Sequence, residues 1–135
     1  MIAEATEFRG AARGGVRLLL RLEGLAVFLA SLVFYKMVHG HWGTFALLFL
    51  APDLAFLFYA VRRSLGTIAY NAAHSYVLPI ALLCAGTLHS ALLPYALVWT
   101  AHIGFDRTLG YGLKYKTDFG DTHLGRLGKA ASEKV

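Results

Sequence analysis

"GTFALLFLAPDLAFLFYAV", residues 43–61, contains a single Asp, Glu, Lys or Arg, which is Asp53. A run this long and apolar is what an α-helix needs to cross hydrocarbon, about 20 residues at a rise of about 1.5 Å each. A carboxylate in its middle is expensive there, about 2.5–3.5 kcal/mol on insertion scales, so Asp53 is expected to face protein and to have a partner.

The neighbouring sequence repeats the pattern. Between Gly24 and Ala101 the only charged residues are Lys36, Asp53, Arg62 and Arg63. Three short breaks leave four apolar runs, 18–38, 43–61, 66–87 and 89–105. The composition agrees: 135 residues, 57% hydrophobic, 16% charged, mean hydropathy +0.54. So small a soluble domain could not bury that many large apolar side chains. The pattern predicts an all-α polytopic membrane protein with four transmembrane helices in an up-down bundle spanning 17–107. A cytoplasmic N-terminal segment, 1–16, precedes it and a Gly/Tyr-rich interfacial cytoplasmic segment, 108–135, follows. Pro52, Pro79 and Pro94 fall in the runs and are expected to kink the helices without ending them.

Charge sets the orientation. Twelve of the thirteen Lys and Arg residues precede the first run or fall in its first turn, lie between the second and third, or follow the fourth; Lys36 alone lies on the other side. By the positive-inside rule both termini are cytoplasmic. The net charge of +5 suits anionic lipid headgroups, and nothing in the chain reads as a nucleic-acid surface. The first run is too long for a cleavable signal peptide and has no A-x-A-like site behind it. The single Cys84 is expected to be a small buried packing residue, and it makes an intrachain disulfide impossible. Tyr35 reads as an interfacial or packing aromatic, residues 6–15 as loose or surface-bound, and 128–135 as frayed.

Measured from the cytoplasmic helix ends, Glu23 and Asn71 come out roughly 7 Å deep, Asp53 and His74 roughly 12 Å, His102 roughly 5 Å and Asp106 at the boundary. All four runs thus contribute to one polar layer. Asn71 and His74 are three apart, His102 and Asp106 four apart, so each pair shares a helix face. Asp53, His74, His102 and Asp106 are all acceptable ligands for a divalent metal such as zinc, which would lower the pKa of a water for hydrolysis. Without a metal, Glu23 or Asp53 with His74 would serve acid-base chemistry such as isomerisation. As a third reading, the layer is interhelical hydrogen-bond glue.

The motifs "RLEGLAVF" (21–28), "FLAPDLAFLFY" (49–59), "YNAAHSY" (70–76), "HIGFDRTLGYGLKY" (102–115) and "DTHLGRLG" (121–128) together resemble a bacterial four-helix inner-membrane family known as domain of unknown function 4260. The resemblance implies no reaction. It draws attention to the polar residues of those motifs: Glu23, Asp53, Asn71, His74, His102, Asp106, Arg107, Tyr111, Lys114, Asp121 and His123.

The expectation is therefore an inner-membrane protein with a cytoplasm-facing site that binds or converts a lipidic or amphiphilic small molecule. Glu23, Asp53, His74, His102 and Asp106 are its candidate catalytic residues. Asn71, Arg107, Tyr111, Lys114, Asp121 and His123 are its candidate ligand-binding residues, with Arg107 taking an anionic headgroup or neutralising Asp106. If "DTHLGRLG" is a lid, His123 joins His102 and Asp106, whereas a surface anchor would place Phe119 and Leu124 in the headgroups. The competing class is a non-enzymatic structural or solute-conducting bundle, built as a homo-oligomer in membrane lipid.

Overall fold

The computed structural model describes residues 10–127, so part of the loose stretch expected at 6–15 and all of the fraying expected at 128–135 lie outside the described residues. The elements are α1 (Gly14–Met37), α2 (Trp42–Leu48), a 3-10 helix (Ala51–Ala60), α3 (Arg63–His74), α4 (Val77–Gly86), a 3-10 turn (Ser90–Leu92), α5 (Leu93–Leu109), and a small antiparallel hairpin of β1 (Asp121–Thr122) and β2 (Gly125–Arg126).

Three stretches are long and apolar enough to cross a membrane: Gly14–Met37, Trp42–Ala60 and Arg63–Gly86. The fourth expected run differs. Its helix is shifted to Leu93–Leu109, has 17 residues, and buries most of its middle and C-terminal turns, including His102 and Arg107. α1, α2 and α4 all pack against α5, and the 3-10 helix packs on α3. The least lipid-like run is therefore the central one.

The prolines do more than kink. A proline ring collides with the carbonyl four residues earlier and offers no N–H to it. Pro52 addresses Leu48, where α2 ends, and Pro79 addresses Ser75, the extended residue that closes α3. Both apolar stretches are consequently interrupted near their midpoints. Asp53 directly follows one proline, and His74 directly precedes the other break. Pro94 instead sits in the first turn of α5, where its missing N–H costs nothing.

The carbonyls left without a backbone N–H at the end of α3 are met by side-chain donors. At the end of α3, Trp99 Nε1 donates to the Ala73 carbonyl at 2.7 Å and Arg107 Nη2 to the His74 carbonyl at 2.7 Å. Irregular backbone at membrane depth needs such partners.

α1 and α5 cross in close contact at Gly24 and Gly104. A Cβ on Gly104 would lie 2.7 Å from the Phe28 nitrogen and 2.8 Å from the Gly24 carbonyl oxygen. Glycine is required there because backbone meets backbone. Arg21 Nε also donates to the Thr108 carbonyl at 2.9 Å, tying the end of α5 to α1. At the opposite end Tyr35 is fully buried with Leu97 and Val98, and its hydroxyl donates to the His41 carbonyl at 2.6 Å. It is a core residue and not an interfacial one. Cys84, expected to be buried, is exposed on the apolar surface of α4.

α5 ends at Gly110, whose φ of +90° is the left-handed conformation that favours glycine at a helix C-terminus. The chain then folds back over the helix ends. Asn71 holds it at two points, its Nδ2 donating to the Lys114 carbonyl and its Oδ1 accepting from the Lys114 N–H, both at 2.7 Å. Thr122 and Leu124 are fully buried, and Ala12 N–H donates to the His123 carbonyl at 2.7 Å.

Candidate metal centre

Four side chains converge where the two interrupted stretches meet α5. His74 Nδ1 lies 2.9 Å from the Tyr70 carbonyl, one helical turn back. That acceptor calls for a proton on Nδ1, which leaves Nε2 as the lone-pair nitrogen and turns it inward. The Tyr70 ring stacks on the imidazole with centroids 3.9 Å apart and fixes its plane. His102 presents its own Nε2 from α5, with Asp106 one turn further along the same face.

The four ligand atoms all lie within 4.8 Å of one another, and each histidine nitrogen is close to the other three. His74 Nε2 is 3.1 Å from His102 Nε2, 3.1 Å from Asp53 Oδ1 and 3.5 Å from Asp106 Oδ2. His102 Nε2 is 3.4 Å from Asp53 Oδ1 and 3.3 Å from Asp106 Oδ2. Tetrahedral zinc with bonds of about 2.0–2.1 Å separates its ligand atoms by about 3.3–3.4 Å. The five spacings bracket that value. Two imidazoles and two carboxylates are also the hard-to-borderline donor set that suits a divalent ion.

Charge points the same way. Both histidines are buried, Asp106 is nearly so, and the Asp53 side chain is 38% exposed. Among the described residues no Arg or Lys reaches either carboxylate at ion-pair distance. Two carboxylates held together inside an apolar bundle call for a cation. One second contact is absent: His102 Nδ1 is buried with no hydrogen-bond partner among the described residues.

A cavity of about 350 Å³ opens on the cluster, lined by Asp53, Phe56, Tyr70, Asp106, Tyr111, Lys114, Phe119 and Leu127. On other faces of the 3-10 helix lies an apolar groove of about 490 Å³, whose walls include Pro52, Ala55, Ala73, Val98 and Trp99. A third cavity, of about 550 Å³, is lined in part by Glu23, Tyr76, Arg107 and His123.

The remaining expected site residues are dispersed. Glu23 faces the third cavity, away from the cluster. Asn71 clasps the C-terminal segment. Arg107 is buried and donates to the carbonyls of His74 and Tyr111, at 2.7 and 2.9 Å, so its contacts are with backbone and not with Asp106. Tyr111 and Lys114 line the cluster's cavity. Asp121 belongs to the hairpin, accepting from Arg126 Nε at 2.8 Å and from Thr117 Oγ1 at 2.7 Å. His123 is half-buried beside Glu23 and Arg107 instead of joining His102 and Asp106, and its Nδ1 accepts from the Leu113 N–H at 2.8 Å. Burial, with the Arg107 charge adding to it, pushes the His123 pKa down. Leu124 is buried within the segment whereas Phe119 is half-exposed, so the lid that His123 was to complete with His102 and Asp106 is not formed in that way, and the anchor's pair of residues is divided. Tyr70 and Trp99 were not singled out in the sequence. The four-residue spacing from Tyr70 to His74 is a legible signal, whereas nothing local marks Trp99 as the cap of α3.

These features define a helical protein with apolar stretches of membrane-crossing length, built around a buried two-histidine, two-aspartate cluster. The chain belongs to the family described as Domain of unknown function (DUF4260), whose profile matches residues 17–127. No curated protein and no solved structure matches it.

Proposed function

We propose that the protein is a divalent-metal-dependent hydrolase of the bacterial inner membrane, acting on a lipidic or amphiphilic molecule. The observation that carries this reading is the convergence, within 4.8 Å, of two imidazole nitrogens and two carboxylate oxygens from three separate segments. In this reading α5 is a fourth, short crossing of an up-down bundle, both termini are cytoplasmic, and the C-terminal segment covers the cytoplasmic mouth.

A bound zinc ion or its like would supply Lewis acidity and a water of lowered pKa. His74, His102 and Asp106 are the fixed holders, each rigid on a helix. Asp53 borders the cavity and is the most exposed of the four, so it is the residue placed to take a proton from an attacking water and return it to the leaving group. Water adds across the scissile ester bond, and the two products carry its proton and hydroxyl. The apolar groove beside Pro52 and Ala73 suits an acyl chain, and membrane lipid is the surrounding solvent.

One observation favours a competing reading. Two imidazole Nε2 atoms 3.1 Å apart can share a proton, which would make the layer an ion-free hydrogen-bond network in a structural or solute-conducting oligomer. Hydrolysis of long-chain esters and phosphoesters by the protein in lipid nanodiscs separates them. The hydrolase reading expects turnover that a chelator stops, that added zinc restores, and that Asp53→Asn abolishes. Turnover indifferent to chelator, or none with zinc supplied, refutes it.

A further inference from the structure

Lys114 is 5% exposed, yet it carries an ammonium with no carboxylate at ion-pair distance among the described residues. Its Nζ donates to the Phe119 carbonyl at 2.8 Å and lies 3.7 Å from the Phe119 ring centroid and 4.9 Å from that of Tyr70. Aromatic faces offset part of the desolvation, but a buried ammonium with one of three donors used remains an uncompensated charge. Burial accordingly lowers its pKa.

The segment has an attachment at this residue that does not involve the ammonium. It is made by the Lys114 main chain, through Asn71 and a bridge to Thr122. An apolar residue of similar length would fill the same aromatic box without any charge to desolvate. The ammonium also shares one cavity with Asp53 and Asp106. A divalent ion cancels the two carboxylate charges, which leaves Lys114 as the net charge of that cavity. A volume of about 350 Å³ is at the small end for ligand sites and fits a head group with the start of a chain.

We propose that Lys114 is the anion-recognition group of this cavity, and that the molecule taken there is an anionic amphiphile, an apolar chain bearing a phosphate or a carboxylate. The inference rests on the cluster being the reaction centre, but the recognition step is measurable apart from it. The free spokes of the ammonium and the walls of Phe56 and Phe119 supply the two halves of the recognition.

The test uses full-length protein in neutral detergent, loaded with zinc, and titrates dodecyl phosphate, dodecanoate and dodecanol against tryptophan fluorescence, with metal content measured in parallel. The wild type should bind at least one of the two anions tighter than dodecanol on the order of tenfold or more, the worth of a charge-assisted hydrogen bond. Whichever anion binds tighter identifies phosphate or carboxylate as the group recognised. Lys114→Met should lose that preference with metal content unchanged, and Lys114→Arg should keep it. Equal binding of anions and alcohol by the wild type overturns the proposal without recourse to any variant, as does Lys114→Met with the preference intact. Absence of zinc uptake defeats the metal reading instead, and the anion preference is still read in the same titration.

Discussion

Asn71→Ala should release the C-terminal segment without unfolding the helices. The side chain makes two hydrogen bonds of 2.7 Å to the main chain of Lys114, 43 residues away. Each such bond contributes about 1 kcal/mol net, so losing both raises the open population of the segment by about thirtyfold. The hairpin within it has two residues per strand, too little to persist undocked, so its amides report on docking itself. Hydrogen exchange followed by mass spectrometry should therefore quicken about thirtyfold across residues 110–127 and stay unchanged in α1 and α5. Unaltered exchange in residues 110–127 would refute the clasp, and faster exchange everywhere would mean that Asn71 supports the bundle.

Gly104→Ala forces a methyl group into the Phe28 backbone and should cost about 1–3 kcal/mol; an unchanged unfolding temperature in detergent would refute the close crossing. Arg107→Met leaves the carbonyls of His74 and Tyr111 without donors and should lower stability by about 2–4 kcal/mol, with zinc retention falling alongside because His74 loses its anchored helix end. Burial and Arg107 hold the His123 pKa below its unfolded value, so its share of segment stability is intact above about pH 6.5 and is lost as pH falls through the lowered folded value. Rate-corrected exchange of residues 110–127 should rise on acidification in the wild type, and His123→Gln should flatten that response.

Much of the candidate site is legible in the sequence. Depth along each run picked out Asp53, His74, His102 and Asp106, and the four-residue spacing put the last two on one face. Depth cannot report rotation, however, which is why Glu23 and Asn71 shared the layer on paper but point elsewhere. The helical class followed from composition, but the interruptions did not. Pro52 and Pro79 read as kinks, whereas α2 ends at Leu48 and α3 closes at the extended Ser75, the residues their rings address. That α5 is the buried, central helix is not legible from its run, because its apolar residues look alike whether they meet lipid or protein. The distinction lies in small residues: Gly104 admits the α1 backbone, and Ala96 and Ala101 are fully buried. The clasp from Asn71 to Lys114 crosses 43 positions, a separation at which no local pattern operates.

His74, His102 and Asp106, with Asp53 beside them, should hold an ion. Full-length protein, purified in neutral detergent without chelator, should carry a stoichiometric divalent metal by plasma mass spectrometry, or take up zinc stoichiometrically when supplied. His74→Ala and His102→Ala should lose it while remaining folded, and Asn71→Ala should keep it. Wild-type protein that neither carries a metal nor takes up zinc, although correctly folded, would contradict the account and leave the cluster as a proton-sharing network between helices.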